Sequence, residues 1–320
     1  MKIVVTGSVA FDYLMFFPGR FTSHLLEEQL QNLSISFLVD SLRRERGGAA
    51  SNIAYTLGLL GGKPSLMATV GQDFAEYRHW LEKHGVDTSP VCEIENEFCS
   101  SFFVNTDQAQ NQIGHFYPGA MAYAAQLRFA EQAPDVELTN ITPNEPAAMH
   151  AHVQECKERG IPYIYDPSQQ TVRLSAKDLC EGLTGCQLLT VNEYELSMIQ
   201  EKIGMGREEI LERCGALLVT SGKNGSVIYA DGEVYEIPTV PPIQVVEPTG
   251  AGDAYRAGLL RGIQLGLPWP LAGRMGALAA TYVLENMGSQ NHHYTPEMFV
   301  SRFREQFDDQ GALDVVLNSN

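Results

Sequence analysis

The stretch EPTGAGDAYRAG, residues 247–258, decides how this 320-residue chain is read. It sets Gly250, Ala251 and Gly252 directly before Asp253, where a proline-edged segment (Pro241, Pro242, Pro248) gives way to an apolar helical pattern. Glycines at a helix start let backbone N–H groups approach an anion unobstructed, and the helix dipole adds positive potential there. A carboxylate in the same turn repels phosphate and therefore needs another role. Two roles fit: a cap for the following helix, or a base for a hydroxyl attacking a phosphoryl group. Two familiar phosphate motifs are absent. The GK pairs are followed by Pro64 and Asn224 rather than Ser or Thr, and Tyr255 stands where a dinucleotide fingerprint needs its third glycine.

Around this stretch the chain alternates strands and helices. Residues 2–9, 64–70, IPYIYDP, QLLTVN and ALLVTSG read as strands, and residues 49–62, 74–84, EYELSMIQEK and most of the chain after Gly252 read as helices. Strands separated by helices predict an α/β fold with a mainly parallel sheet flanked by helices. Residues 13–46 and 91–120 break the alternation with strand-like runs (SISFLVD, CSSFFVNT, QIGHFYP). They predict a small β-sheet lid inserted in a single domain spanning residues 1–320. Asp231-Gly232 between two alternating runs predicts a hairpin.

A formal net charge of -17 argues against nucleic-acid backbones and anionic membranes as partners, which leaves small molecules. The six cysteines form no CxxC pair, as expected of a reduced compartment. MKIVVTGSVAF is too short an apolar run for a signal peptide or a membrane span, so a soluble, cytoplasmic protein is expected. Apolar lid strands with uncovered edges predict a homodimer formed through the lid.

EPTGAGDAYRAG resembles the second signature of the ribokinase, or PfkB, family of sugar and nucleoside kinases, and RGGAASNIAYTLGLLGG followed by LMATVGQD resembles the first. The resemblance runs from residue 2 to about 288. It implies an α/β core with a small β-lid and transfer of a phosphoryl group from ATP, with Mg²⁺, to a hydroxyl. Within it, Gly250, Ala251 and Gly252 would form an anion hole and Asp253 would be the general base. VNEYE resembles the family's N-x-x-E motif, implying that Asn192 helps position the nucleotide and Glu195 positions Mg²⁺ through water. TSGKNG stands at the nucleotide loop, so Thr220, Gly222 and Gly225 would border ATP. ENMGSQ, residues 285–290, would lie near adenine and a monovalent-cation loop. Glu247 replaces the usual aspartate at that loop, which with Thr249 would take K⁺. On the acceptor side Asp12 and Asn52 stand at positions that bind sugar hydroxyls, and Gly47 and Gly48 would let the backbone approach the same sugar.

SISFLVD, GHFYPGAM and DPSQQ are similar to segments of the bacterial adenosine kinases within this family. They imply adenosine as acceptor, with Phe102 and Phe116 sandwiching a purine and Ser8, Ser36, Gln169 and Gln170 contacting ribose or base. Two alternatives stand beside this: another nucleoside or a sugar as acceptor, or a nucleoside-binding regulator that has lost transfer. The two phenylalanines could also fasten the lid to the core or to a second subunit. Arg256, three residues after Asp253, is read as one half of a surface ion pair in preference to a phosphate contact.

Overall fold

A computed structural model describes residues 1–24 and 34–318. Its strands are β1 (Ile3–Thr6), β2 (Ala10–Phe17), β3 (Ser41–Gly47), β4 (Ser65–Met67), β5 (Thr69–Val70), β6 (Cys92–Glu93) and β7 (Ser100–Asp107). Then follow β8 (Gln112–Tyr117), β9 (Leu138–Ile141), β10 (Tyr163–Tyr165), β11 (Leu188–Asn192), β12 (Ala216–Thr220), β13 (Ser226–Ala230) and β14 (Glu233–Ile237). The main sheet has the order β14-β13-β12-β11-β10-β9-β1-β4. From β4 to β12 its strands are parallel, and β13 and β14 close one edge as an antiparallel hairpin.

The parallel strands are buried on both faces, as their mainly apolar runs, rich in Ile, Val and Leu, require. Ile3, Val5, Ile164, Leu188 and Leu218 face one apolar cluster that includes the helices Ala49–Leu59, Ala251–Gln264 and Trp269–Leu284. Val4, Ile141, Tyr165, Leu189 and Leu217 face a second cluster on the other side. The hairpin turns at Asp231 (φ 55°) and Gly232 (φ 77°), the paired positive angles that an Asp-Gly turn supplies.

The smaller sheet, ordered β3-β2-β7-β8, comes from the two segments that break the alternation. The part of residues 13–46 that falls at 25–33 lies outside the described residues. SISFLVD is not a strand. Residues 34–39 have no ladder, and β3 starts only at Ser41. The alternation that predicted a strand is real, with Ile35, Phe37 and Val39 half-buried between exposed neighbours. Phe37 spends it on ring contacts with Phe17 and Phe21, both at 4.9 Å, instead of on strand pairing. Likewise residues 64–70 split at Ala68 into β4, in the main sheet, and β5, which pairs with β6. No helix among the described residues is long and apolar enough to cross a membrane.

Candidate active site

The residues that the sequence singles out converge on the C-terminal ends of the parallel strands, where open α/β sheets hold their ligands. Ser8 follows β1, Gln169 and Gln170 follow β10, Asn192 ends β11 and Thr220 ends β12. The 247–258 stretch lies across these ends. Gly250 is the N-cap of the helix Ala251–Gln264 at φ 82°, a left-handed conformation, and a Cβ there would come within 2.5 Å of the Ser289 Cβ. Among the described residues, the Gly250, Gly252 and Asp253 N–H groups have no hydrogen-bond partner, whereas Ala251 N–H turns back to Pro248 O at 3.2 Å. Among the described residues the free amides of this turn are thus those of Gly250, Gly252 and Asp253, with Ala251, one of the expected set, bonded within the turn.

Asp253 does not cap the helix; its carboxylate turns to side chains instead. Asn52 Nδ2 donates to Asp253 Oδ2 at 2.9 Å, and Arg256 Nη1 lies 3.4 Å from Oδ1. Asn52 is buried in the helix Ala49–Leu59, and its Oδ1 accepts from Ser289 Oγ and Gln290 Nε2, both at 2.9 Å. Those two bonds orient the amide so that its NH₂ must face Asp253. The 285–290 segment therefore bears on the Asn52 side of the site rather than on the second cavity, of whose lining it forms no part. Burial raises the Asp253 pKa, and Arg256 and Asn52 oppose that rise.

Arg256 departs from expectation. It is no surface pair: its side chain is 13% exposed, and its Nε lies 2.7 Å from Oδ2 of the fully buried Asp166. Asp166 opens DPSQQ, immediately after β10, and its importance was not legible because only the fold carries it under residue 256.

Two cavities meet at this turn. The first, of about 510 Å³, is lined by Ser8, Asp12, Gly48, Asn52, Phe102, Phe116, Gln169, Gln170, Arg173, Thr249, Gly250 and Asp253 among others. Ser36 is exposed and lines neither cavity. Phe102 and Phe116 are in-register partners on β7 and β8, 37% and 51% exposed, and neither ring contacts another aromatic ring among the described residues. Ser168, at the cavity edge, takes φ 40°, an uncommon angle for a serine. Asp12 sits opposite Glu45 on β3, and burial together with Glu247, Glu45 and Asp253 pushes its pKa up to about 6. Gly47 and Gly48 are needed for packing around this residue: a Cβ on Gly47 would meet Asp12 Oδ2 at 2.6 Å, and one on Gly48 would meet Ser8 O at 2.5 Å.

The second cavity, of about 640 Å³, adjoins the other side of the turn through Pro248, Ala251 and Gly252. Thr220, Gly222, Lys223 and Gly225 form one wall, and Val240, Pro242, Ala277, Ala280 and Leu284 supply an apolar one. Gly222 (φ 53°) and Gly225 (φ 91°) take angles that favour glycine, and a Cβ on Gly225 would meet Ile237 O at 2.3 Å. An apolar slot beside a glycine turn fits a flat base with a phosphate tail.

Asn192 and Glu195 form a reciprocal capping box on the helix Glu193–Ile203, each side chain bonded to the other's N–H at 2.8 Å. They line neither cavity, yet Glu195 is buried and close enough to act on Asp166 and Asp253. Mg²⁺ takes hard oxygen ligands and keeps its waters, which suits the buried Glu195 carboxylate acting through water. Glu247 accepts from Gly288 N–H at 2.9 Å and thereby ties the 285–290 segment to the turn, while Thr249 faces the first cavity.

The model of the pfkB family carbohydrate kinases matches residues 5–296. The chain belongs to that family. It is therefore an ATP-dependent phosphotransferase. A nucleoside kinase of Methanothermobacter thermautotrophicus is 31% identical over 309 residues, covering 95% of this chain and 96% of the relative. The nucleoside kinase of Burkholderia thailandensis in complex with inosine superposes with a TM-score of 0.86 at 34% identity, covering 96% of this chain and 97% of that one. A ribokinase of Thermotoga maritima, at 19% identity and a TM-score of 0.79 over 96% of this chain and all of that one, shares the fold.

Proposed function

We propose that the chain is a nucleoside kinase that converts ATP and adenosine to ADP and AMP. The observation that carries this reading is the pair of cavities meeting at residues 248–253, with Asp253 on the acceptor side and the glycine turn of residues 220–225 on the other. Phe102 and Phe116 offer two ring faces that no other ring of the described residues covers, for a planar base that a free sugar lacks. Asp12, Asn52, Gln169 and Gln170 offer donors and acceptors for ribose hydroxyls.

In the proposed reaction the ribose 5′-hydroxyl attacks the γ-phosphorus and gives its proton to Asp253. The new O–P bond forms as the bond to the β–γ bridging oxygen breaks, and ADP leaves. Gly250, Gly252 and Asp253 N–H groups face the charge on the transferring group. Mg²⁺, held through water near Asn192 and Glu195, would neutralise phosphate charge when bound.

A second reading, with a 6-oxo purine as the preferred base, is favoured by one feature. Arg173, tethered to Glu145 at 3.2 Å, lines the acceptor cavity and can only donate, which suits a carbonyl on the base. The inosine complex of the Burkholderia kinase agrees with it. Turnover measured on adenosine, inosine, guanosine, cytidine, ribose and fructose tests both. Highest kcat/KM on adenosine is expected; inosine first would replace it by the second reading, and a free sugar ahead of every nucleoside would defeat both.

A further inference from the structure

We infer that Asp166 is a positioning residue for Asp253: by holding the Arg256 guanidinium at 2.7 Å, it keeps that cation from closing fully onto the Asp253 carboxylate. Arg256 stands between two acids. It touches Asp166 through Nε and reaches Asp253 only at 3.4 Å, close to the limit of a hydrogen bond. A guanidinium free of Asp166 would form a short, charge-assisted pair with Asp253 one helical turn away, occupying the oxygen that must receive a proton.

The burial of Asp166 makes this an unusual place for an acid without a task. It is fully buried, and among the described residues neither of its oxygens accepts a hydrogen bond of regular geometry, even from Arg256. A buried charge left so poorly satisfied is costly, and replacement of such pairs by apolar residues is often neutral or stabilising. Retention for stability alone therefore explains little, whereas a contact to Asp253 through one intervening cation gives the pair work at the reaction centre. The groups acting on Asp253 come from every side: Arg256 on its own helix, Asn52 on the helix Ala49–Leu59, Asp166 after β10, Glu195 at the start of the helix Glu193–Ile203, and Asp12 on β2. Of these, Asp166 and Arg256 are the opposed pair that can be removed separately.

The inference rests on Asp253 being the base, so Asp253→Asn is measured alongside. Asp166→Asn removes a negative neighbour and releases Arg256 towards Asp253. It is expected to lower kcat about tenfold, leave the nucleoside KM within about twofold, and move the acid limb of kcat/KM down by about one pH unit. Arg256→Met removes the cation and is expected to move the same limb up. In the double variant kcat is expected to recover towards wild type, because no cation remains to occupy Asp253. Far-UV circular dichroism and nucleoside affinity report whether each variant is folded. An unmoved limb in D166N, or a double variant no faster than D166N, would overturn the inference while D253N inactivity still upheld the base. If D166N does not fold, R256M decides: a limb at or below the wild-type pH overturns it. Wild-type turnover by D253N would instead remove the base on which the inference depends.

Discussion

Asp253 and Asp12 share one acidic corner, yet the physics places them differently. Asp253 is held from both oxygens, by Asn52 and by Arg256, so its orientation is determined before any substrate arrives. Asp253→Asn keeps the shape and loses the proton acceptor. Turnover is expected to fall roughly 10²–10⁴-fold with nucleoside affinity retained, as measured by steady-state kinetics and calorimetry. Asp12 is buried across from Glu45 and near Glu247 and Asp253, and burial first, then these like charges, disfavours the ionised form. Its folded pKa, about 6, lies above the ordinary carboxylate value. The protonated state thus contributes stability that is fully present below about pH 4 and lost as pH rises through about 6. Asp12→Asn is expected to stabilise the free protein at pH 8, on the order of 1 kcal/mol, with the gain vanishing near pH 4. Thermal unfolding at both pH values checks this, and nucleoside affinity should fall in the same variant.

At the level of elements, two local devices carry the site. The first is the left-handed start of the helix Ala251–Gln264. Gly250→Ala would strain φ 82° and press a methyl on Ser289, whose hydroxyl helps orient Asn52. A loss of about 1–3 kcal/mol in stability is expected together with a larger loss of kcat, read by denaturant unfolding and turnover. The second is the β7–β8 pair of the smaller sheet, where alternation sends neighbouring phenylalanines to opposite faces. Phe102 faces the first cavity, while Phe103 stacks on Tyr13 at 4.6 Å. Phe102→Ala is expected to raise the nucleoside KM about tenfold, through loss of roughly 1–1.5 kcal/mol of ring contact. Phe103→Ala, one residue away, is expected to leave KM unchanged; equal effects from both would dismiss base stacking.

At the scale of the molecule, the smaller sheet leaves β3 and β8 as open edges among the described residues, with Leu42, Phe103 and Tyr117 exposed on them or beside them. Uncovered apolar edges of this kind invite pairing, and a second copy would cover them. Light scattering is expected to give twice the 35.3 kDa chain mass, and a concentration-independent monomer would remove the dimer.

What was legible follows from which forces are local. Apolar periodicity and glycine placement sufficed for the strand and helix alternation, the Asp231-Gly232 turn and the 247–258 stretch, because helix starts and tight turns are governed by neighbours in the chain. They failed at residues 34–39, where half-buried alternation serves an aromatic cluster instead of a ladder. They also could not give Asn52 its orienting partners Ser289 and Gln290, more than 200 residues away. The sequence by itself determined the α/β class, the turn that presents Asp253 and most of the residues facing the first cavity, whereas the apolar wall of the second, from Val240 to Leu284, was not legible in it. Only the tertiary structure decided that Arg256 is buried against Asp166, because that ion pair exists only where the end of β10 is packed under the first turn of the helix Ala251–Gln264.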